Sequence, residues 1–145
     1  MTQSADEVLR QATLYSDDRD YRILRLPSNA ITLAAGILAE VGAPFTGLVA
    51  DKDEVTLLLP DEAMAAFEAR LRLAKKSEQK YRLITFDAQL QPDLVGFIAR
   101  IAQALAAAGI PILTYAAFSR DHVLVPAGCV HRALLALREL QMESA

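Results

Sequence analysis

Four residues carry most of the chemistry this sequence could perform. Asp121 and His122 stand side by side in an apolar stretch, and Asp93 and Gly96 stand at the entrance to its most regular helical pattern. A carboxylate beside an imidazole suggests acid–base work, but neighbours along a strand point to opposite faces, so Asp121 and His122 do not make a catalytic pair. His131 falls on the polar side of a helical pattern and reads as solvated. Cys129 reads as a small apolar residue at a helix start. One cysteine excludes an internal disulfide and a cysteine zinc site, and two histidines leave little for a metal centre. The motifs GxGxxG, GxxxxGK(S/T), HExxH, GxSxG and CxxC do not occur. No catalytic residue, metal or cofactor is assigned.

The 145 residues suffice for one compact domain or two very small ones sharing a core. Hydrophobic residues are 53 % and charged residues 23 %, which excludes a disordered chain. The net charge of −3 carries no nucleic-acid footprint, and Lys75, Lys76 and Lys80 are too few for a basic patch. The first twenty residues are polar and acidic, unlike a secretory signal. The apolar run 94–118 holds Arg100 and Gln103 and is broken by Gly109 and Pro111, so it is not expected to span a membrane. A cytoplasmic protein is the expectation.

Periodicity places the elements. Residues 4–14 form a helix with Ser4 and Glu7 at capping-box spacing, and 16–20 are a solvated link. Strands are expected at Tyr21–Leu26, Phe45–Ala50, Glu54–Leu59, Tyr81–Phe86, Ile112–Phe118 and His122–Val125. Asp51-Lys52-Asp53 and Ser119-Arg120-Asp121 are turns. Helices are expected at 30–41, from Pro60-Asp61 onward with Met64, Phe67 and Leu71 on one face, at 93–108, and at 129–141. In 93–108 the residues Leu94, Phe97, Ile98, Ile101, Leu105 and Ala108 share a face, and Gly109 is placed to end the helix with a left-handed cap. Residues 75–80 read as a charged connector. Phe118 is expected to face the core and Tyr115 the opposite side.

The chain repeats itself. Tyr21-Arg22-Ile23-Leu24 matches Tyr81-Arg82-Leu83-Ile84 sixty residues on, whereas Leu58-Leu59-Pro60 matches Leu124-Val125-Pro126 at sixty-six. The second copy is six residues longer, in its first helix or the loop before it. The organisation is a helix and link over 1–20, a first repeat over 21–74 and a second over 81–142, each reading β-α-β-β-α. A single such unit leaves a sheet face or edge open, so the copies are expected to pack pseudo-symmetrically.

This is an α+β, ferredoxin-like plan of tandem βαββα(β) repeats. Leu94-Val95-Gly96-Phe97-Ile98, Ala107-Ala108-Gly109-Ile110-Pro111-Ile112 and the hairpin Ala117-Phe118-Ser119-Arg120-Asp121-His122-Val123-Leu124-Val125-Pro126 resemble the ACT domain family of small regulatory, amino-acid-binding modules. The hairpin is similar to that of the tandem-ACT subgroup that includes the animal cytosolic arginine sensors and many small bacterial proteins. Where that subgroup has a Ser-Thr pair before the phenylalanine, this chain has Ala116-Ala117. The likeness is strong over 81–141 and weaker over 21–73.

An amino acid presents a carboxylate and an ammonium, and burying either without a partner costs several kcal/mol. The start of helix 93–108 offers unpaired backbone N–H groups and the positive dipole end to a carboxylate, with Asp93 as the expected N-cap and Gly96 allowing close approach. Asp121 offers a carboxylate to an ammonium or guanidinium. The resemblance implies that these elements face one pocket formed by Asp93, Leu94, Val95, Gly96, Phe97, Ala117, Phe118 and Asp121. It also implies a module that binds an amino acid or related small molecule and regulates another protein in trans, without catalysis. The open sheet edges of the plan lead to the expectation of a homodimer, and composition to the expectation of neither nucleic acid nor membrane. The alternative is a structural or interaction module of the same fold that binds no ligand. A reading of Gly96 and Asp121 as purely local devices also stands, relieving helix–sheet crowding and shaping a turn.

Overall fold

The computed structural model describes residues 3–42 and 45–144. The chain divides into two compact units, residues 19–81 and residues 1–18 together with 82–145.

The unit of residues 19–81 holds β2 (Asp20–Pro27), α2 (Ile31–Val41), β3 (Gly47–Ala50), β4 (Glu54–Pro60), a single helical turn α3 (Ala63–Ala66) and β5 (Lys75–Lys76). Its strands lie in the order β3-β4-β2-β5, all pairs antiparallel. The period of two in β2 and β4 sends Leu24, Leu26, Val55, Leu57 and Leu59 to one face. There Ala34 and Ile37 of α2, with Ala63 and Leu71, close a core. The helix expected after Pro60 is only one turn long. Ala63 and Leu71 are buried while Met64 and Phe67 sit at the core margin, so the segment serves as a folded cover rather than a helix. The expected charged connector supplies β5, whose Lys76 pairs with Leu24.

The other unit begins with α1 (Ala5–Gln11) and β1 (Thr13–Tyr15), then continues with β6 (Tyr81–Asp87), α4 (Phe97–Ala107), β7 (Leu113–Ala116), β8 (Asp121–Pro126) and α5 (Val130–Glu143). Its strands lie in the order β7-β8-β6-β1. β1 thus supplies the fourth strand of the second repeat, antiparallel to β6 with Leu14 opposite Phe86. Ser4 caps α1 by accepting from the Glu7 N–H at 3.2 Å, as the spacing predicts. Ile84, Phe86, Val123 and Val125 face a helical layer that contributes Val8, Leu9, Phe97, Ile101, Leu105, Ala133, Leu137 and Leu140. The Phe86 and Phe97 rings meet edge-on at 5.5 Å. Burying each large side chain of this set contributes about 1.5–3 kcal/mol.

α4 ends as its sequence predicts. Gly109 takes φ +73°, its N–H bonds to the Ala106 carbonyl, and the Ile110 N–H reaches back to Leu105, which is a Schellman closure. Both first helices have eleven residues. The segment before α2 is three residues (28–30) and the segment before α4 is nine (88–96). The six-residue excess of the second repeat therefore lies wholly in the loop before its first helix.

Candidate functional site

That longer loop builds a hollow. Residues 88–96 fold against the β7–β8 hairpin and enclose a cavity of about 220 Å³. Leu90, Gln91 and Pro92 form one wall, Leu94, Gly96, Phe97 and Ile98 the second, and Ala117, Phe118, Arg120 and Asp121 the third. Its volume equals roughly seven water molecules in the liquid and lies below the roughly 300–1,000 Å³ of drug-sized ligand pockets. It suits a small molecule and is too small for a dinucleotide.

Six of the eight residues expected at a site line this hollow: Leu94, Gly96, Phe97, Ala117, Phe118 and Asp121. Asp93 and Val95 do not. Asp93 is exposed and is not the N-cap of α4. Gly96 holds that position with φ +86°, so the helix starts at Phe97 rather than at 93. Val95 points to solvent. Phe118, expected in the core, is 98 % exposed at the hairpin tip. The strand ends at Ala116, so the in-and-out alternation used to orient it no longer applies there. Leu90, Gln91, Pro92, Ile98 and Arg120 were not expected. The surplus of six residues in the second repeat was the one trace of Leu90, Gln91 and Pro92 in the sequence.

Gly96 is required by its backbone angle. A Cβ added there would meet nothing within 4 Å, which removes helix–sheet crowding as the reason for glycine. A left-handed residue costs roughly 1–2 kcal/mol for anything with a Cβ. The consequence is a helix start with no side-chain cap. Among the described residues no side chain caps the first N–H groups of α4, and Gly96, Phe97 and Ile98 at that end line the hollow.

Asp121 lies on the same strand face as Val123 and Val125, at the edge of the helical layer. Its neighbour Arg120 is taken by Asp87, whose Oδ1 accepts from the guanidinium Nε at 2.8 Å. Among the described residues no side chain pairs with the Asp121 carboxylate, and burial raises its pKa above the usual value. His122 points to the other sheet face, where its Nδ1 lies 2.8 Å from the Thr85 hydroxyl. Burial, then the charge of Arg120, pushes the imidazole pKa down. His131 is exposed, and Cys129 sits half-buried against the core.

The first repeat lacks the counterpart. Asp51, in its hairpin turn, accepts from the N–H groups of Asp53 and Glu54 at 2.8 and 2.9 Å. These bonds hold its carboxyl below the ordinary range and leave it a turn former.

A larger hollow of about 490 Å³ lies between α4 and α5, over Ala104, Ala107, Ala108 and Ala136. Arg100, Gln103, Glu139 and Glu143 also line it. It is bordered by the middle and last turns of the two helices, whose N–H groups are already bonded within the helix, so it offers no backbone donors to orient a ligand. Among the described residues no cluster of three or more His, Cys, Asp or Glu could hold a metal ion. Nor is any helix long and apolar enough to cross a membrane.

Comparison with known proteins bears on the fold. The model of the ACT domain matches residues 76–139. No curated protein matches the chain. Among solved structures, a protein from Agobacterium tumefaciens aligns at 18 % identity with a TM-score of 0.70, covering 90 % of this chain and 89 % of its own. A protein of unknown function from Vibrio cholerae, described as a possible transport protein, aligns at 23 % with a TM-score of 0.69, covering 94 % of each chain. The ligand-free regulatory subunit of aspartate kinase from Thermus thermophilus aligns at 20 % with a TM-score of 0.64, covering 89 % of this chain and 97 % of its own. Their likeness is one of fold. Residues 76–139, which contain the hairpin, the loop and the helix α4 that line the hollow, match the ACT domain family.

Proposed function

We propose that the chain is a non-catalytic regulatory module that binds one amino acid, or a related small zwitterion, in the hollow of its second repeat. The observation that carries this is the pairing of opposite needs across one small cavity. The uncapped start of α4 seeks an acceptor, and the half-buried Asp121 carboxylate lacks a cation. A ligand α-carboxylate on the helix start and its ammonium on Asp121 would satisfy both, each by charge-assisted hydrogen bonds worth about 1.5–3 kcal/mol. Ala117, Phe97 and Leu94 make part of the remaining wall apolar, beside Gln91 and Arg120, and the volume restricts the side chain accepted to a small one. The regulatory role of the aspartate kinase subunit of the same fold supports action on a separate protein, and a cytoplasmic location is part of the proposal. Pairing of two copies through an open sheet edge such as β7 is part of the proposal. A thermal-shift series with the twenty common amino acids at millimolar concentration tests it. A ligand present at a hundred times its Kd stabilises by about 2.7 kcal/mol, so at least one amino acid raises the melting temperature by several degrees. A flat series contradicts the reading.

The second reading is an interaction module that binds no ligand. It is favoured by the almost fully exposed Phe118 at the hairpin tip and by the absence of hydroxyls at Ala116 and Ala117. Under it, the flat thermal series is accompanied by only a slight change in stability for Asp121→Ala.

A further inference from the structure

The loop that walls the hollow is held from two sides. Toward the hairpin, the Leu90 N–H donates to the Ser119 carbonyl at 2.8 Å. From the opposite direction comes Gln3, which belongs to the segment preceding the first repeat. Its Nε2 donates to the Gln89 carbonyl at 2.9 Å, and its Oε1 accepts from the Gln91 N–H at 2.8 Å. A single primary amide thus pairs with the donor and acceptor that flank Leu90, as a neighbouring strand residue would. Only one orientation of the amide satisfies both, since a flip would set its NH2 against the N–H and its oxygen against the carbonyl.

Gln3 is itself anchored. It precedes the Ser4 cap of α1, whose Val8 and Leu9 are buried in the core. The end of α1 is tied to α5 by Gln141, which donates to the Leu9 and Ala12 carbonyls, and by Arg10, which donates to the Ser144 carbonyl. The clamp therefore joins the docked segment 3–15 to the loop 88–92, in which Leu90, Gln91 and Pro92 line the hollow. In a nine-residue loop without regular structure, these bonds stand in for the ladder that a strand would have.

We infer that Gln3 is a positioning residue: its side-chain amide holds loop 88–96 in the shape that forms the hollow, so docking of segment 3–15 and occupancy of the hollow are coupled. The coupling to a ligand rests on the function proposed above, while the clamp itself does not. It is tested with Gln3→Met, which keeps the length of the side chain and removes both hydrogen bonds, and Gln3→Ala. Gln3 lies outside the core, so both variants fold and melt within a few degrees of wild type. Hydrogen exchange in the unliganded protein reads the clamp. The Gln91 amide exchanges about fivefold to tenfold faster in either variant, as expected for the loss of about one net hydrogen bond, while the amides of β8 stay unchanged. Affinity for the amino acid giving the largest thermal shift with wild type falls about fivefold to tenfold, without a change in Asp121. Equal exchange and equal affinity in variant and wild type overturn the inference, as does faster exchange spread over β8 and α5. If no amino acid shifts the wild type while Gln91 exchange still accelerates in the variants, the clamp stands and the proposed ligand is what fails.

Discussion

Asp121 and Val55 occupy the same place in the two hairpins. Each is the first ladder residue after the turn, Val55 opposite Ala50 and Asp121 opposite Ala116. Val55 is 1 % exposed and packs into the core of its unit. A carboxylate at that position would be buried without a partner, whereas the longer loop of the second repeat opens a hollow in front of Asp121. The duplication thus holds one core position and one candidate binding position at equivalent sites.

Asp121→Asn separates binding from folding. Burial raises the pKa of this carboxyl in the folded state. Its ionised form therefore weighs against folding, and that cost is present above the unfolded value of 3.8 and vanishes as pH falls below it. The variant is expected to be at least as stable as wild type at pH 7 and equal to it near pH 3. Its ligand-induced thermal shift is expected to disappear. Chemical denaturation at the two pH values, with and without ligand, checks both.

One ligand per chain is the expected stoichiometry. The three-residue segment before α2 is too short to build a wall, and Asp51 is already bonded to its own turn. Isothermal titration should give about one site per protomer; two would mean that the first repeat also binds.

His122 gives the protein a stability slope in mild acid. Its pKa is lowered in the folded state, first by burial and then by Arg120. The neutral imidazole is favoured by folding, so stability is lost as pH falls through the unfolded value of 6.5 toward the lower folded one. His122→Gln, which can still accept from or donate to Thr85, should flatten the slope of unfolding free energy between about pH 5 and 7.

Gly96→Ala should cost about 1–2 kcal/mol through the positive φ, and should weaken ligand binding by shifting the first N–H groups of α4. Gly109→Ala carries the same kind of strain at the far end of the helix. It should lower the melting temperature comparably while leaving affinity unchanged. Phe118→Ser, at a site 98 % exposed, should alter stability by no more than about 0.5 kcal/mol.

Much of this was readable from residue order. The stripe through Phe97, Ile101 and Leu105, ended by Gly109, specifies a helix whose start and stop are both glycines with positive φ. The repeat arithmetic located the extra six residues to within a helix and its preceding loop. Asp93 misled because aspartate caps helices so often, yet the left-handed turn at Gly96 resets the start beyond it. β1 and β5 were hidden because strands of three and two residues carry too little alternation to register. Phe118 was misplaced by extending a strand pattern past the end of its ladder. Gln3 left no signal, since a polar residue ahead of a helix says nothing about a loop more than eighty residues away.

The central claim is that a small zwitterion bridges the start of α4 and Asp121. An ¹⁵N-resolved NMR titration with the amino acid giving the largest thermal shift tests this most directly. The account predicts saturable shifts concentrated at the Phe97, Ile98, Ala117 and Asp121 amides, abolished in Asp121→Asn. Shifts centred on the α4–α5 groove around Ala104 and Ala136, or none at millimolar ligand, would contradict it.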